Sequence, residues 1–246
     1  MPYPFAHPAA ILPLIGLLGR LGVPSALAIG SMIPDAWYFV PLATRDDSHS
    51  LGGLVWFCLP AGLLVYLAFH LVLKQPLLAL SPGSLASKLA HFACPRLPEA
   101  PWHAVALCLL AGACTHVAWD ALAHVHRVSQ HASTLLGAIF LAWWIWRRLQ
   151  SVPVRDLPPA FALSPLARSS TLGLLVVLSI GWAAWVAAAE ALTLPGDASE
   201  LRHALRSAGL AGLHALCLLT IGYAMLWKLL NRSNGLPRSD RRERRL

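Results

Sequence analysis

The sequence predicts an all-α protein, a polytopic transmembrane helix bundle with about five spans plus a short N-terminal helical hairpin. Three observations carry this. Of the 246 residues, 57% are hydrophobic and only 12% are charged, with a mean hydropathy of +0.60, whereas a soluble domain carries about a quarter charged residues. Runs such as LGGLVWFCLPAGLLVYLAFHLVL, residues 51–73, reach the roughly 20 apolar residues that cross a bilayer as a helix. These runs also lack the period-two alternation that the strands of a membrane barrel require.

The first apolar stretch, residues 9–33, is long enough to span but is broken by Pro13, Gly16, Gly19, Arg20, Gly22 and Pro24. Glycine and proline together punctuate turns, and an arginine at a bilayer centre costs about 2.5–3.5 kcal/mol on insertion scales. The stretch is therefore expected to form two short helices joined at GRLGVP, returning the chain to its starting side. With a rise of about 1.5 Å per residue, His7 before the first arm and Asp35 after the second then end near each other. Five spans follow, at about 51–73, 103–125, 132–149, 170–192 and 208–229. The loops between them are short and proline-rich. The expected organisation is a site-bearing membrane domain over 1–150, two further helices over 151–230 and a basic tail over 231–246. The start, MPYPFAHPAA, lacks the charged n-region of a signal peptide.

Lysine and arginine are counted on alternate sides of the five spans, because positively charged loops stay cytoplasmic. One side holds Lys74, Lys88, Arg96, Arg147, Arg148, Arg155, Arg168, Lys228, Arg232, Arg238, Arg241, Arg242, Arg244 and Arg245; the other holds Arg20, Arg45, Arg127, Arg202 and Arg206. The richer side is expected in the cytoplasm, with the N-terminus outside and the C-terminus inside. Although the formal charge is +8, most of the excess lies in the tail. A basic tail beside a span suits anionic lipid, so membrane lipids rather than nucleic acid are the expected partners. The five cysteines form no C-x-x-C pair, which supports neither a disulfide framework nor a cysteine-rich zinc site.

The chemistry concentrates in GACTHVAWDALAHVHR, residues 112–127. His116, Asp120 and His124 are spaced i, i+4, i+8 and stack on one side of a helix, neighbours lying about 6 Å apart. His116 and Asp120 can therefore ligate one ion, whereas His116 and His124 stand about 12 Å apart along the axis. Imidazole and carboxylate are ligands for zinc, iron or manganese. Ionisable groups inside a membrane are expensive and default to function. In contrast, His70, His91, His103, His203 and His214 read as packing or hydrogen-bonding residues, and Asp46 and Asp47 as solvated loop charges. In the expected orientation His7, Asp35, His49 and the 116–124 row all reach the extracytoplasmic half.

Together, HPAAILPL, IGSMIPDAWYF, HSLGGLVWFCLP, THVAWDALAH and QHASTLLG resemble an uncharacterised bacterial family of integral membrane proteins classed as a domain of unknown function. That family is similar to membrane-bound metal-dependent hydrolases, whose H, PD, H and HxxxD arrangement is in turn similar to zinc-dependent phospholipase C. The resemblance covers roughly residues 1–150. It implies His7, Asp35, His49, His116 and Asp120 as the metal set, with His124 beside them where the family continues as T-H and this chain has Ala123 and His124. It further implies a divalent ion, zinc before iron or manganese, in a bacterial inner-membrane hydrolase. Asp35 or Asp120 would serve as general base, and a lipid or lipid-linked phosphoester would be the substrate.

Other hydrolase classes lack their residues here. There is no HExxH, no GxSxG elbow, and none of the further motifs of lipid phosphatases that share HxxxD. The alternative from another class is a non-catalytic protein that binds metal or relays protons for transport, or a scaffold. A transporter needs polar groups leading through to the cytoplasmic side, and the last two spans offer little besides Glu190 and His214.

Overall fold

The computed structural model describes residues 4–39, 42–92, 97–98, 100–123, 127–157, 161, 163–191 and 198–231, and no strand occurs among them. The helices are α1 (Leu12–Leu17), α2 (Pro24–Gly30), α3 (Arg45–Ser48), α4 (Leu51–Leu80), α5 (Gly83–Leu89), α6 (Trp102–Ala123), α7 (Arg127–Gln150), α8 (Pro165–Ala191) and α9 (Ala198–Leu230). Three-ten turns at Pro4–Ala9, Gly19–Leu21 and Ile33–Tyr38 flank the first two. Among the described residues, four helices are long and apolar enough to cross a membrane: Leu51–Leu80, Trp102–Leu122, Pro165–Ala191 and Glu200–Leu230. By length and composition they mark an integral membrane protein.

The segment expected as a span at 132–149 is helical within α7 but is not one of those four. Its run of Trp143, Trp144 and Trp146 ends on Arg147 and Arg148, and its first turns carry Ser129, Gln130 and His131. Tryptophans and these polar residues dilute the aliphatic content that made the segment look like a span. Residues 124–126, including His124, and the tail from 232 onward lie outside the described residues.

The chain divides into two compact units, one of Met1–His70 with Arg96–Pro153 and one of Leu71–Pro95 with Val154–Leu246. In the first, GRLGVP breaks the helix as its composition predicts. Gly19 adopts φ 51, a left-handed conformation that glycine tolerates without strain, and Pro24 opens α2 at its first turn. Cys108 fixes this turn from α6, its Sγ accepting from Val23 N at 3.3 Å and donating to Leu21 O at 3.2 Å. Ile11, Val23, Leu27, Tyr66, Val105 and Leu109 form the core beneath it. In α4, π-helical turns at Leu54–Cys58 and Phe69–Leu73 precede Pro60 and Pro76. Each proline lacks the N–H that a carbonyl four residues earlier would use, and the widened turn re-pairs the backbone.

A close helix contact positions the site. A Cβ added to Gly30 would run into Leu109 backbone, and one added to Gly112 would run into Leu27 and Ser31 backbone. Apolar side chains gain little by leaving lipid for protein, so close packing of small residues holds membrane helices together. Here it lets α2 lie directly on α6, one turn before His116.

The second unit is built differently. Leu78, Ala79, Ala86, Phe161 and Trp227 form its core, and Phe161 stacks on Trp227 with ring centroids 5.7 Å apart. Helices α8 and α9 pack against one another, Gly212 lying under Ala183 and the Ser179 carbonyl. Their outer faces expose Val177, Ile180, Trp185 and Leu218, the surface a lipid environment demands.

Candidate metal centre

Five sequence-predicted residues converge. His7 comes from the first three-ten turn, Asp35 from the third, His49 from the end of α3, and His116 with Asp120 from α6. The ligand atoms of His7, His116 and Asp120 all lie within 4.8 Å of one another, as do those of Asp35, His49 and His116. His124, the sixth candidate, lies outside the described residues.

Local structure aims each side chain. His116 Nδ1 lies 2.8 Å from the Ser31 carbonyl, which the glycine contact between α2 and α6 delivers. A carbonyl accepts only from N–H, so the proton sits on Nδ1 and the Nε2 lone pair faces the cluster. His49 is set the same way, with Nδ1 3.0 Å from the Arg45 carbonyl and 3.0 Å from Ser48 Oγ. Thr44 caps α3 beneath it: Thr44 Oγ1 accepts from Asp47 N at 3.2 Å, and Asp47 Oδ2 accepts from Thr44 N at 3.0 Å. Asp47 Oδ2 also accepts from Thr44 Oγ1 at 2.7 Å, and this bond with that from Thr44 N holds the Asp47 carboxyl below its ordinary range, Asp47 being the capping-box partner of Thr44. Ser50 and Cys58 tie the segment down further, through Ser50 Oγ to the Asp47 carbonyl at 2.8 Å and Cys58 Sγ to the Ser48 carbonyl at 3.4 Å.

Inside the cluster the separations are wider than hydrogen bonds. His7 Nε2 is 3.7 Å from Asp120 Oδ1, and His116 Nε2 is 3.7 Å from Asp35 Oδ1 and 4.0 Å from Asp120 Oδ2. His49 Nε2 lies 3.5 Å from Asp120 Oδ2 and 3.9 Å from Asp35 Oδ1. Two ligands each about 2.1 Å from one ion stand about 3.4 Å apart at the tetrahedral angle, so this spacing fits donors arranged around a cation. His7 stacks on His116 with ring centroids 3.8 Å apart, and both rings are fully buried. Both ring nitrogens of His7, Asp35 Oδ1 and His116 Nε2 are buried without a hydrogen-bond partner among the described residues.

Burial controls protonation here. It lowers the His7 imidazole to about 4 against the pull of Asp120, so His7 is neutral near pH 7 and its lone pair is available to an ion. Burial, reinforced by Asp120, raises the Asp35 carboxyl to about 6, with His49 and Arg45 opposing.

Two contributors escape sequence reading. Arg45, counted only as a loop charge, donates from Nη2 to Asp120 Oδ2 at 3.1 Å with its side chain partly exposed. The single usable signal is its i, i+4 spacing to His49. The Ser31 carbonyl leaves no mark in side-chain chemistry. Of the five histidines set aside as packing residues, His70 behaves so: it is buried, its Nε2 lies 3.1 Å from Ser25 Oγ, and its ring tilts against Tyr66.

Fold and site together define a class, a helical membrane protein whose N-terminal half buries a histidine–carboxylate cluster able to hold a metal ion. The chain belongs to the family described as Domain of unknown function (DUF4184), which covers residues 1–129 and so includes all five clustered residues. No curated protein and no solved structure matches it significantly.

Proposed function

We propose that this protein is a membrane-bound metal-dependent hydrolase acting on a lipid or lipid-linked phosphoester. The carrying observation is the set of buried, partnerless nitrogens and oxygen on His7, His116 and Asp35. Each such group costs about 1–3 kcal/mol when left unpaired, and one cation would satisfy one nitrogen of His7 together with His116 Nε2 and Asp35 Oδ1. His116 Nδ1 is committed to Ser31, so only Nε2 serves the cluster. The two overlapping ligand triads share that atom and describe a single ion, zinc being favoured by the imidazole-rich set.

A bound ion would acidify a water toward pKa 7 and polarise a phosphoryl oxygen. His7, His116 and Asp120 hold the ion in this reading, and His49 closes the opposite side. Asp35 accepts the proton from the attacking water, a task suited to a carboxyl titrating near neutrality. Arg45, partly exposed beside Asp120, offers its guanidinium to an anionic phosphoester. With α7 counted as a fifth crossing, the charge distribution supports an extracytoplasmic site in a bacterial inner membrane, with the N-terminus outside and the C-terminus inside. The helical hairpin of α1 and α2 keeps His7 and Asp35 on that one face.

Elemental mass spectrometry of detergent-purified protein tests the reading. Wild type is expected to hold about one zinc, iron or manganese per chain, and His116→Ala and Asp120→Ala to lose it while remaining monodisperse, since each removes a ligand. A folded wild type that stays metal-free after reconstitution would return the cluster to proton transfer or packing.

A further inference from the structure

Beside the cluster, in the first unit, lies a groove of about 680 Å³, within the roughly 300–1,000 Å³ range of ligand pockets. It runs between the N-terminal segment and helices α6 and α7, lined by Ala9, Ala10, Pro13, Trp119, Leu136 and Phe140 among others. Of its lining residues only Ser133 brings a hydroxyl, and none is charged. The groove adjoins the polar cluster across one side chain. Trp119 forms its wall while meeting the edge of the His7 ring, centroids 6.2 Å apart, and Trp119 directly precedes Asp120. At the other end of the cluster Arg45 supplies the partly exposed positive charge.

Resting on the metal-centre reading above, we propose that this groove seats one hydrocarbon chain of a lipid whose anionic head meets the cluster. The juxtaposition selects an amphiphile. An apolar trough lying beside histidines, carboxylates and an arginine, with Trp119 between them, matches a molecule with one apolar and one anionic end, and a free phosphate or sugar phosphate leaves the trough unused. A chain with four helices fit to cross a membrane draws such a molecule laterally from its own solvent. The groove thus sets substrate class: it favours a lipid phosphoester over the same head group in water, because remote apolar binding lowers the cost of positioning the reacting end.

The test is native mass spectrometry of delipidated full-length protein titrated with dioleoyl phosphatidic acid, with zinc and after chelation. Two variants fill the groove from opposite walls, Ala10→Trp and Leu136→Trp, while Leu174→Trp on an exposed face of α8 serves as control. One lipid is expected to bind wild type and the control, and both groove variants are expected to lose it about tenfold or more, because each methylene expelled forfeits its burial. Zinc content should stay unchanged in all. Groove variants that fold, keep zinc and bind lipid like wild type overturn the proposal. So does a dimer mass lost in those variants, which would assign the groove to a second copy. The variant-to-wild-type ratio is read in either metal condition, so a zinc-free wild type overturns the metal reading alone.

Discussion

The two units solve the same solvent problem with opposite interiors. In the second, α8 and α9 turn Val177, Ile180, Trp185 and Leu218 outward, and the unit's core cluster is apolar, with Ser179 Oγ donating along its own helix to the Leu175 carbonyl at 2.7 Å. In the first, α6 is as span-like by length and composition, yet it presents Gly112, His116 and Asp120 along one buried face. Hydropathy therefore reports only the lipid-facing surface. The inward face decides what a membrane helix is for, and in the first unit it carries donors that apolar packing does not need.

The largest effect should come from making the two interiors answer the same substitution. Gly112→Leu drives a side chain into Leu27 and Ser31 backbone, which cannot move aside as a side-chain tip can, while Gly181→Leu in α8 meets nothing within 4 Å. Gly112→Leu should cost at least the roughly 1–3 kcal/mol of an overpacked core, with the Ser31 carbonyl displaced from His116. Gly181→Leu should be neutral or gain up to about 1 kcal/mol of helix propensity. Thermal melting of both variants in detergent checks this. Equal melting temperatures would show that the α2–α6 contact does not hold the first unit together.

Next in size is a pH effect confined to the first unit. Asp35 titrates near 6, above its ordinary value of 3.8, so on acidification its carboxylate is lost early. The negative charge of the Asp35 carboxylate supports the ion beside it, and retention should therefore be full above pH 7 and fall by up to about tenfold per pH unit below 6 as that charge is lost. His7, held to about 4, adds its own competition only below that value. Zinc retained by dialysed protein between pH 7.5 and 5 is the measurement. A flat profile would show that the Asp35 charge does not support the ion, and Asp35→Asn should flatten the profile near 6.

The contrast also explains what was legible in the sequence. The His116–Asp120 pair could be read because helix periodicity converts i, i+4 spacing into proximity. The GRLGVP break could be read because glycine and proline act locally. The expected span at 132–149 is not among the four span-like helices of the described residues, because α7's tryptophans look apolar by type but sit less favourably among hydrocarbon tails than leucine or isoleucine. The groove, the Ser31 carbonyl and the role of Arg45 were invisible for one reason: each is a relation between distant chain segments. Arg45 stands 75 positions before the carboxylate it contacts, and beside Asp46 and Asp47 it reads as an ordinary solvated charge.

The smallest and most diagnostic effect concerns that arginine. Two cationic side chains donate across long sequence separations, Arg45 to Asp120 at 3.1 Å in the first unit and Lys228 to Gln75 Oε1 at 3.3 Å in the second. Arg45 holds a positive charge against a carboxylate that the proposed ion also needs, so it both competes for Asp120 and repels a cation. Its charge is partly exposed and screened by solvent, which limits the effect to the range of a surface pair, about 1 kcal/mol. Arg45→Gln should therefore tighten zinc binding about three- to tenfold, since 1.4 kcal/mol corresponds to tenfold. The backbone carbonyl that fixes His49 is left in place. Lys228→Gln should leave zinc affinity unchanged. Competition against a fluorescent chelator resolves differences of this size. If Arg45→Gln instead weakens zinc binding, the guanidinium is orienting Asp120 as a ligand rather than contesting it, and the arginine belongs to the metal centre's scaffold rather than to its anion-binding side.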